Sequence, residues 1–129
     1  MSKSEATGTF EVRLTPAESG DSPIATLSID KTFQGDLQGT SVGQMLAFRT
    51  PVEGSAGYVA MERVTGTLAG RHGSFTLQHN GLMDRGAPSL AVVVVPDSGT
   101  DGLSGLTGTM EIIVSPGRHD YRFHYGLPA

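Results

Sequence analysis

The 129-residue sequence contains no cysteine and no tryptophan, and only 17% of its residues are charged. Without cysteine, disulfide scaffolds, thiolate metal centres and cysteine catalysis are excluded. Nine Lys and Arg stand against thirteen Asp and Glu, a net charge of -4. No basic stripe is therefore available to follow a phosphate backbone, and nucleic acid is not expected as a partner. Long apolar runs are missing as well. Leu90 to Val95 is the longest, far below the roughly 20 residues a membrane-spanning helix needs. The chain opens without a charged-then-apolar leader, so a cytoplasmic protein with no membrane partner is expected.

Several catalytic signatures are also lacking. There is no HExxH, no Gly-Lys-Ser/Thr phosphate loop around Ser98-Gly99-Thr100, and no Gly-x-Ser-x-Gly elbow. His72 and His79 are seven residues apart, and His119 and His124 five. On strands, such odd spacings send the two rings of each pair to opposite faces. No metal and no cofactor are expected.

What is present points to β-structure. There are 18 Gly, 13 Thr, 12 Ser and 10 Val. Thr and Val, stiff at χ1, suit a pleated surface, and Gly suits turns and bulges. Alternation at period two, broken by turn clusters, marks eight candidate strands: Thr7–Thr15, Ile24–Gln34, Ser41–Thr50, Gly57–Leu68, Ser74–Asn80, Ser89–Pro96, Leu106–Val114 and His119–Tyr125. The expected inward sets include Phe10, Val12 and Leu14 on the first strand and Val42, Gln44, Leu46 and Phe48 on the third. His119, Tyr121, Phe123 and Tyr125 form the set on the last. Loops are expected over Pro16–Pro23, Gly35–Thr40 and Gly81–Pro88. A Gly-x-Leu-x-Gly element at 35–39 and 66–70, with a looser version at 102–105, reads as shared turn chemistry rather than a repeat.

Eight short antiparallel strands leave two unpaired edges unless the sheet closes or splits. A closed barrel of eight has an interior wide enough for side chains or one small ligand. The expectation is therefore an all-β, eight-stranded antiparallel closed barrel as a single domain over 1–129, with a short flexible arm at 1–6. The sixth strand is apolar on both faces. Leu90, Val92 and Val94 face one way and Ala91, Val93 and Val95 the other; one set fills the barrel, and the opposite set suggests a homo-oligomer interface, with cover by the N-terminal arm as the alternative.

Four blocks extend the argument: Lys31–Ser41, Gly57–Leu68, Gly70–His79 and Pro96–Leu106. They resemble signature blocks of a bacterial domain family of unknown function, and the likeness runs from about Thr7 to Tyr125. That family is similar in fold to the allene oxide cyclase barrels, small eight-stranded barrels whose plant members rearrange a fatty-acid epoxide in an apolar cavity. The resemblance implies the barrel. No cyclase catalytic position aligns with this sequence residue by residue, so it implies no reaction.

The candidate site rests on charges that fall in apolar phases. Glu62 shares a phase with Tyr58, Ala60 and Val64, and His79 shares one with Phe75 and Leu77. A four-residue loop, Ala69–His72, would set Glu62 opposite His79. A two-residue loop, Arg71-His72, would set Val64 opposite His79, with Glu62 diagonal to it. Direct and diagonal partners lie about 5 and 7 Å apart, so the side chains meet either way. A carboxylate and an imidazole inside an apolar enclosure hold each other charged or share a proton. Glu62 and His79 are the catalytic candidates. Gln44, Tyr58, Glu62, His79 and Tyr121 are the ligand-binding candidates, and Lys31 falls in an apolar phase near the same cluster. Three readings follow: a barrel holding a small apolar or amphipathic ligand, a cofactor-free isomerase or cyclase using Glu62 and His79, and a solidly packed structural barrel, in which the same pair only pins the hairpin register.

Overall fold

The computed structural model describes residues 2–18 and 20–128. Met1 of the expected arm and Ser19 of the expected first loop lie outside the described residues. Eight strands follow one another: β1 (Ser2–Pro16), β2 (Ala25–Gly35), β3 (Leu37–Arg49), β4 (Ala56–Leu68), β5 (Arg71–Asp84), β6 (Ala87–Val94), β7 (Thr107–Ser115) and β8 (Arg118–Leu127). Each pairs antiparallel with the next, and β1 pairs with β8, closing the barrel. Among the described residues no helix is long and apolar enough to cross a membrane.

Closure is achieved by the length of β1. Its first part, Ser2 to Phe10, pairs with β8, and its second, Gly8 to Pro16, pairs with β2. Residues 2–6 are therefore not an arm but the half of β1 that covers the edge of β8. Nor do they cover β6, from which β1 is separated by β7 and β8. Ala91 and Val93 on β6 remain exposed on the outer face, while Val92 and Val94 are buried inside.

The interior has two halves. One is packed with Phe33, Leu37, Val64, Leu68, Phe75, Leu77, Tyr121 and Phe123, all buried. Phe75 stacks on Phe123 with centroids 5.8 Å apart. Each such side chain contributes roughly 1.5–3 kcal/mol by leaving water. The Gly-x-Leu-x-Gly elements cluster here: Leu37, Leu68 and Leu103, one from each copy, are almost fully buried. Leu103 arrives on the β6–β7 connection, whose single turn of 3-10 helix (Asp101–Leu103) lies against β5. Thr100 N–H donates to Ser74 O (2.9 Å), and Ser74 N–H donates to Thr100 Oγ1 (3.1 Å). The turn chemistry thus also supplies the plug of the closed end.

Further expectations are corrected. The expected loop at 35–40 is strand except at Asp36, since β2 runs to Gly35 and β3 starts at Leu37. The expected loop at 81–88 is mostly strand, because β5 and β6 are joined by a two-residue turn at Arg85-Gly86, both at positive φ. On β3 the inward phase is Leu37, Ser41 and Met45 with the small residues Gly39, Gly43 and Ala47, while Val42, Gln44, Leu46 and Phe48 are exposed. Their bulk made the wrong face look like the core, and a one-residue change of phase turns every side chain over. The β4–β5 hairpin turns through Ala69-Gly70, at φ 53° and 75°, which pairs Ala60 with His79 and Glu62 with Leu77. Two left-handed residues give the twist a tight hairpin favours, and that decides the register against both expected loops.

Ala69 carries a Cβ in a conformation better suited to Asn. Ala69→Asn is expected to stabilise the protein by about 1 kcal/mol and raise Tm by about 4 °C in a thermal melt.

Candidate functional site

The other half of the barrel is hollow, a cavity of about 840 Å³. Its walls are apolar: Val12 and Leu14 from β1, Leu27 and Ile29 from β2, Met45 and Ala47 from β3, Leu90 from β6 and Ile112 from β7, among others. Its floor is Lys31, Ala60 and His79, with Tyr58 beside them. Solid packing is thus confined to the closed half.

Glu62 lies behind the floor, 1% exposed and absent from the cavity lining. Lys31 Nζ donates to its Oε1 at 3.0 Å, and His79 Nε2 lies 2.8 Å from the same oxygen. Ser41 Oγ donates to Oε2 at 2.7 Å. Lys31 is on β2 and Glu62 on β4, so the carboxylate must cross β3. The small inward residues Ser41 and Gly43 leave it room: a Cβ at Gly43 would fall 2.9 Å from that of Glu62. The phase of β3 and the ionic cluster therefore explain each other.

Burial alone would raise the Glu62 pKa. The His79 hydrogen bond, the charges of Lys31 and His79, and the Ser41 hydroxyl outweigh it and hold the carboxyl at about 2, down from 4.5. An ionised Glu62 only accepts hydrogen bonds, so His79 donates through Nε2. Nδ1 is left facing the Tyr58 hydroxyl at 3.4 Å. Burial, and then the charge of Glu62, push the Tyr58 pKa up, which keeps the phenol a proton donor near neutrality. The Tyr58 ring lies across β5 at Gly81, where a Cβ would collide with it.

Of the expected ligand-binding residues, Tyr58 and His79 line the cavity and Glu62 supports them from behind. Gln44 does not take part. It faces outward, paired with Ser28 and Met61, as the phase of β3 requires. Tyr121 is also elsewhere, 1% exposed in the packed half. Its hydroxyl accepts from Leu37 N–H (2.9 Å) and donates toward Gln34 O (2.9 Å) and Leu37 O (3.1 Å), fastening the β2–β3 turn. Its polar tip is used by backbone and has nothing left for a ligand. Ser41 and Arg49 are the residues missed. Both sit in the inward phase of β3, and the only sequence signal for them was the spacing of Gly39, Gly43 and Ala47 in that phase. Among the described residues no group of three or more His, Cys, Asp and Glu is placed to hold a metal.

Fold and site together define a closed antiparallel barrel, half packed and half hollow, with a buried ionic cluster at the division. The chain belongs to the DUF3224 family: the family model described as "Protein of unknown function (DUF3224)" matches residues 6–125. It is also similar to the crystal structure of a DUF3224-family protein of unknown function from Shewanella oneidensis MR-1, with 46% identity and a TM-score of 0.92 over 99% of this chain and 100% of that one. No curated protein matches it.

The folded state holds the Glu62 carboxyl below its ordinary pKa, so its ionisation stabilises the fold. That contribution, of the order of 3 kcal/mol, is complete above about pH 6 and is lost as the pH falls toward 2. Urea unfolding should show about 2 kcal/mol of it gone by pH 3, a loss absent from Glu62→Gln. Lys31→Met alone leaves a buried carboxylate short of a partner and should cost about 3–5 kcal/mol, whereas Lys31→Met with Glu62→Gln should regain most of that in the same assay.

Proposed function

We propose that the protein binds a small apolar or amphipathic molecule in the open half of its barrel, the polar end of the ligand resting on Lys31, His79 and Tyr58. One observation carries this reading: a cavity of about 840 Å³ with apolar walls ends on a floor where the hydrogen-bonding groups are gathered. Ligand sites commonly occupy about 300–1,000 Å³ and combine apolar lining with a few placed polar groups. The aliphatic walls supply affinity by area, and the floor supplies orientation.

The isomerase or cyclase alternative draws less support. A carboxyl held at about 2 has no proton to give at neutral pH, and Glu62 does not reach the cavity. His79 and Tyr58 do reach it, but their role in this reading is to hold a ligand.

Nile red, a neutral amphipathic dye, tests the cavity. The protein is expected to bind it with a blue-shifted emission. Ala47→Trp, which places an indole in the hollow, should weaken binding at least tenfold with Tm changed by only a few degrees. Ala25→Trp, nearer the mouth, serves the same purpose should Ala47→Trp fold poorly. Gln44→Ala, on the outer face, should leave binding unchanged. No binding by the unmodified protein, or equal binding by the Trp variants, overturns the proposal.

A further inference from the structure

Resting on the cavity-binding reading, we propose that the occupant is an organic acid, its apolar body in the shaft and its carboxylate at the floor against Lys31. The protein carries an excess of four negative charges, yet among the described residues the formally charged side chains lining the cavity are both cations, Lys31 at the floor and Arg49 near the mouth. The one carboxylate of the cluster is turned away. The side chain of Glu62 is 0% exposed, against 7% for Lys31 and 4% for His79. A ligand thus meets the cationic end of the ion pair first, with the negative end shielded behind it.

The hydrogen-bonding capacity points the same way. An ammonium has three protons, and Lys31 gives one to Glu62. The Phe10 and Phe33 rings lie 4.7 and 5.8 Å from Nζ, which steadies the charge by cation–π attraction without using a hydrogen-bond acceptor. Lys31 therefore keeps donors for an incoming oxygen, beside the Tyr58–His79 contact. A floor whose free donor is an ammonium selects an acceptor, and a cation inside low-dielectric walls selects a negative one. An alcohol would use the same donors without the charge, and an amine would be repelled. Arg49 adds attraction at the entrance, where approaching anions otherwise meet a protein of like sign.

Isothermal titration with octanoate, octan-1-ol and octylammonium, equal in chain length, separates these cases at pH 7. Octanoate is expected to bind at least tenfold more tightly than octan-1-ol, with octylammonium the weakest. In the paired variant Lys31→Met with Glu62→Gln, which removes the cation without stranding its partner, the advantage of the acid should fall below about threefold while octan-1-ol still binds. Equal affinity for acid and alcohol, or an acid preference that survives in the paired variant, overturns the acid assignment and leaves cavity binding standing. Failure of all three to bind overturns both. Arg49→Gln provides a second measure in a residue at the rim: it should reduce octanoate affinity at low salt and leave octan-1-ol unaffected.

Discussion

A carboxylate sealed from water is the constraint around which this interior is organised. Burying a lone carboxylate costs several kcal/mol, and the cost is met only if cations and hydrogen-bond donors surround it. Here Lys31, His79 and Ser41 do so, each from a different strand, at 3.0, 2.8 and 2.7 Å. To bring them together, β3 must present small residues inward, and β4 and β5 must register so that Glu62 and His79 lie one step apart on the diagonal. Shifting either strand by one residue would leave the charge without partners. The cluster thus specifies register in the middle of the barrel, where apolar packing alone would tolerate several arrangements.

The same constraint divides the space. Toward one end the inward positions are large and apolar, and the leucines of the turns close it. Toward the other, Ala25, Ala47, Ala60, Gly57 and Gly81 take up positions where bulkier side chains would meet in the centre. An eight-stranded barrel is wide enough that small residues on several strands leave a void rather than a packed layer. The hollow is therefore written into side-chain size on β2, β3, β4 and β5, and the ionic cluster forms its base because Glu62, enclosed beneath Lys31 and His79, needs the packed half below it to stay dry.

Much of this was legible in the sequence, and the failures have a common source. The eight strands, the closed antiparallel barrel and the inward set of β8 follow from alternation, since Tyr121 and Phe123 contrast sharply with Arg122 and His124. Glu62 and His79 stood out because a charge in an apolar phase has few places to go. On β3 the inference failed because alternation measures bulk and polarity, and a wall of a hollow barrel is built from small residues. Val42, exposed at 62%, looked more like core than Gly43. Gln44 followed Val42 into the wrong phase, and Ser41 and Arg49 were lost with it. Tyr121 failed differently: its face was right, but whether a buried hydroxyl meets a ligand or a backbone amide depends on depth along the barrel, which periodicity does not encode. The hairpin register turned on Ala69 adopting a positive φ that its side chain disfavours, so composition pointed to other loops.

The orientation of the cluster carries the functional argument further than its existence does. For fold stability alone an ion pair in this position has no advantage over an apolar pair of similar volume, which commonly matches or exceeds it. Nor would stability care which end of the pair faced the hollow. In this barrel the fully enclosed member is the carboxylate, and the members touching the cavity are the ammonium and the imidazole. That asymmetry sets the sign of the field inside the cavity. Such a field does work only on something that enters, and it favours an occupant bearing the opposite charge. A purely architectural role accounts for the three bonds to Glu62. It gives no reason for the donors left over on Lys31, nor for the apolar shaft that leads down to them.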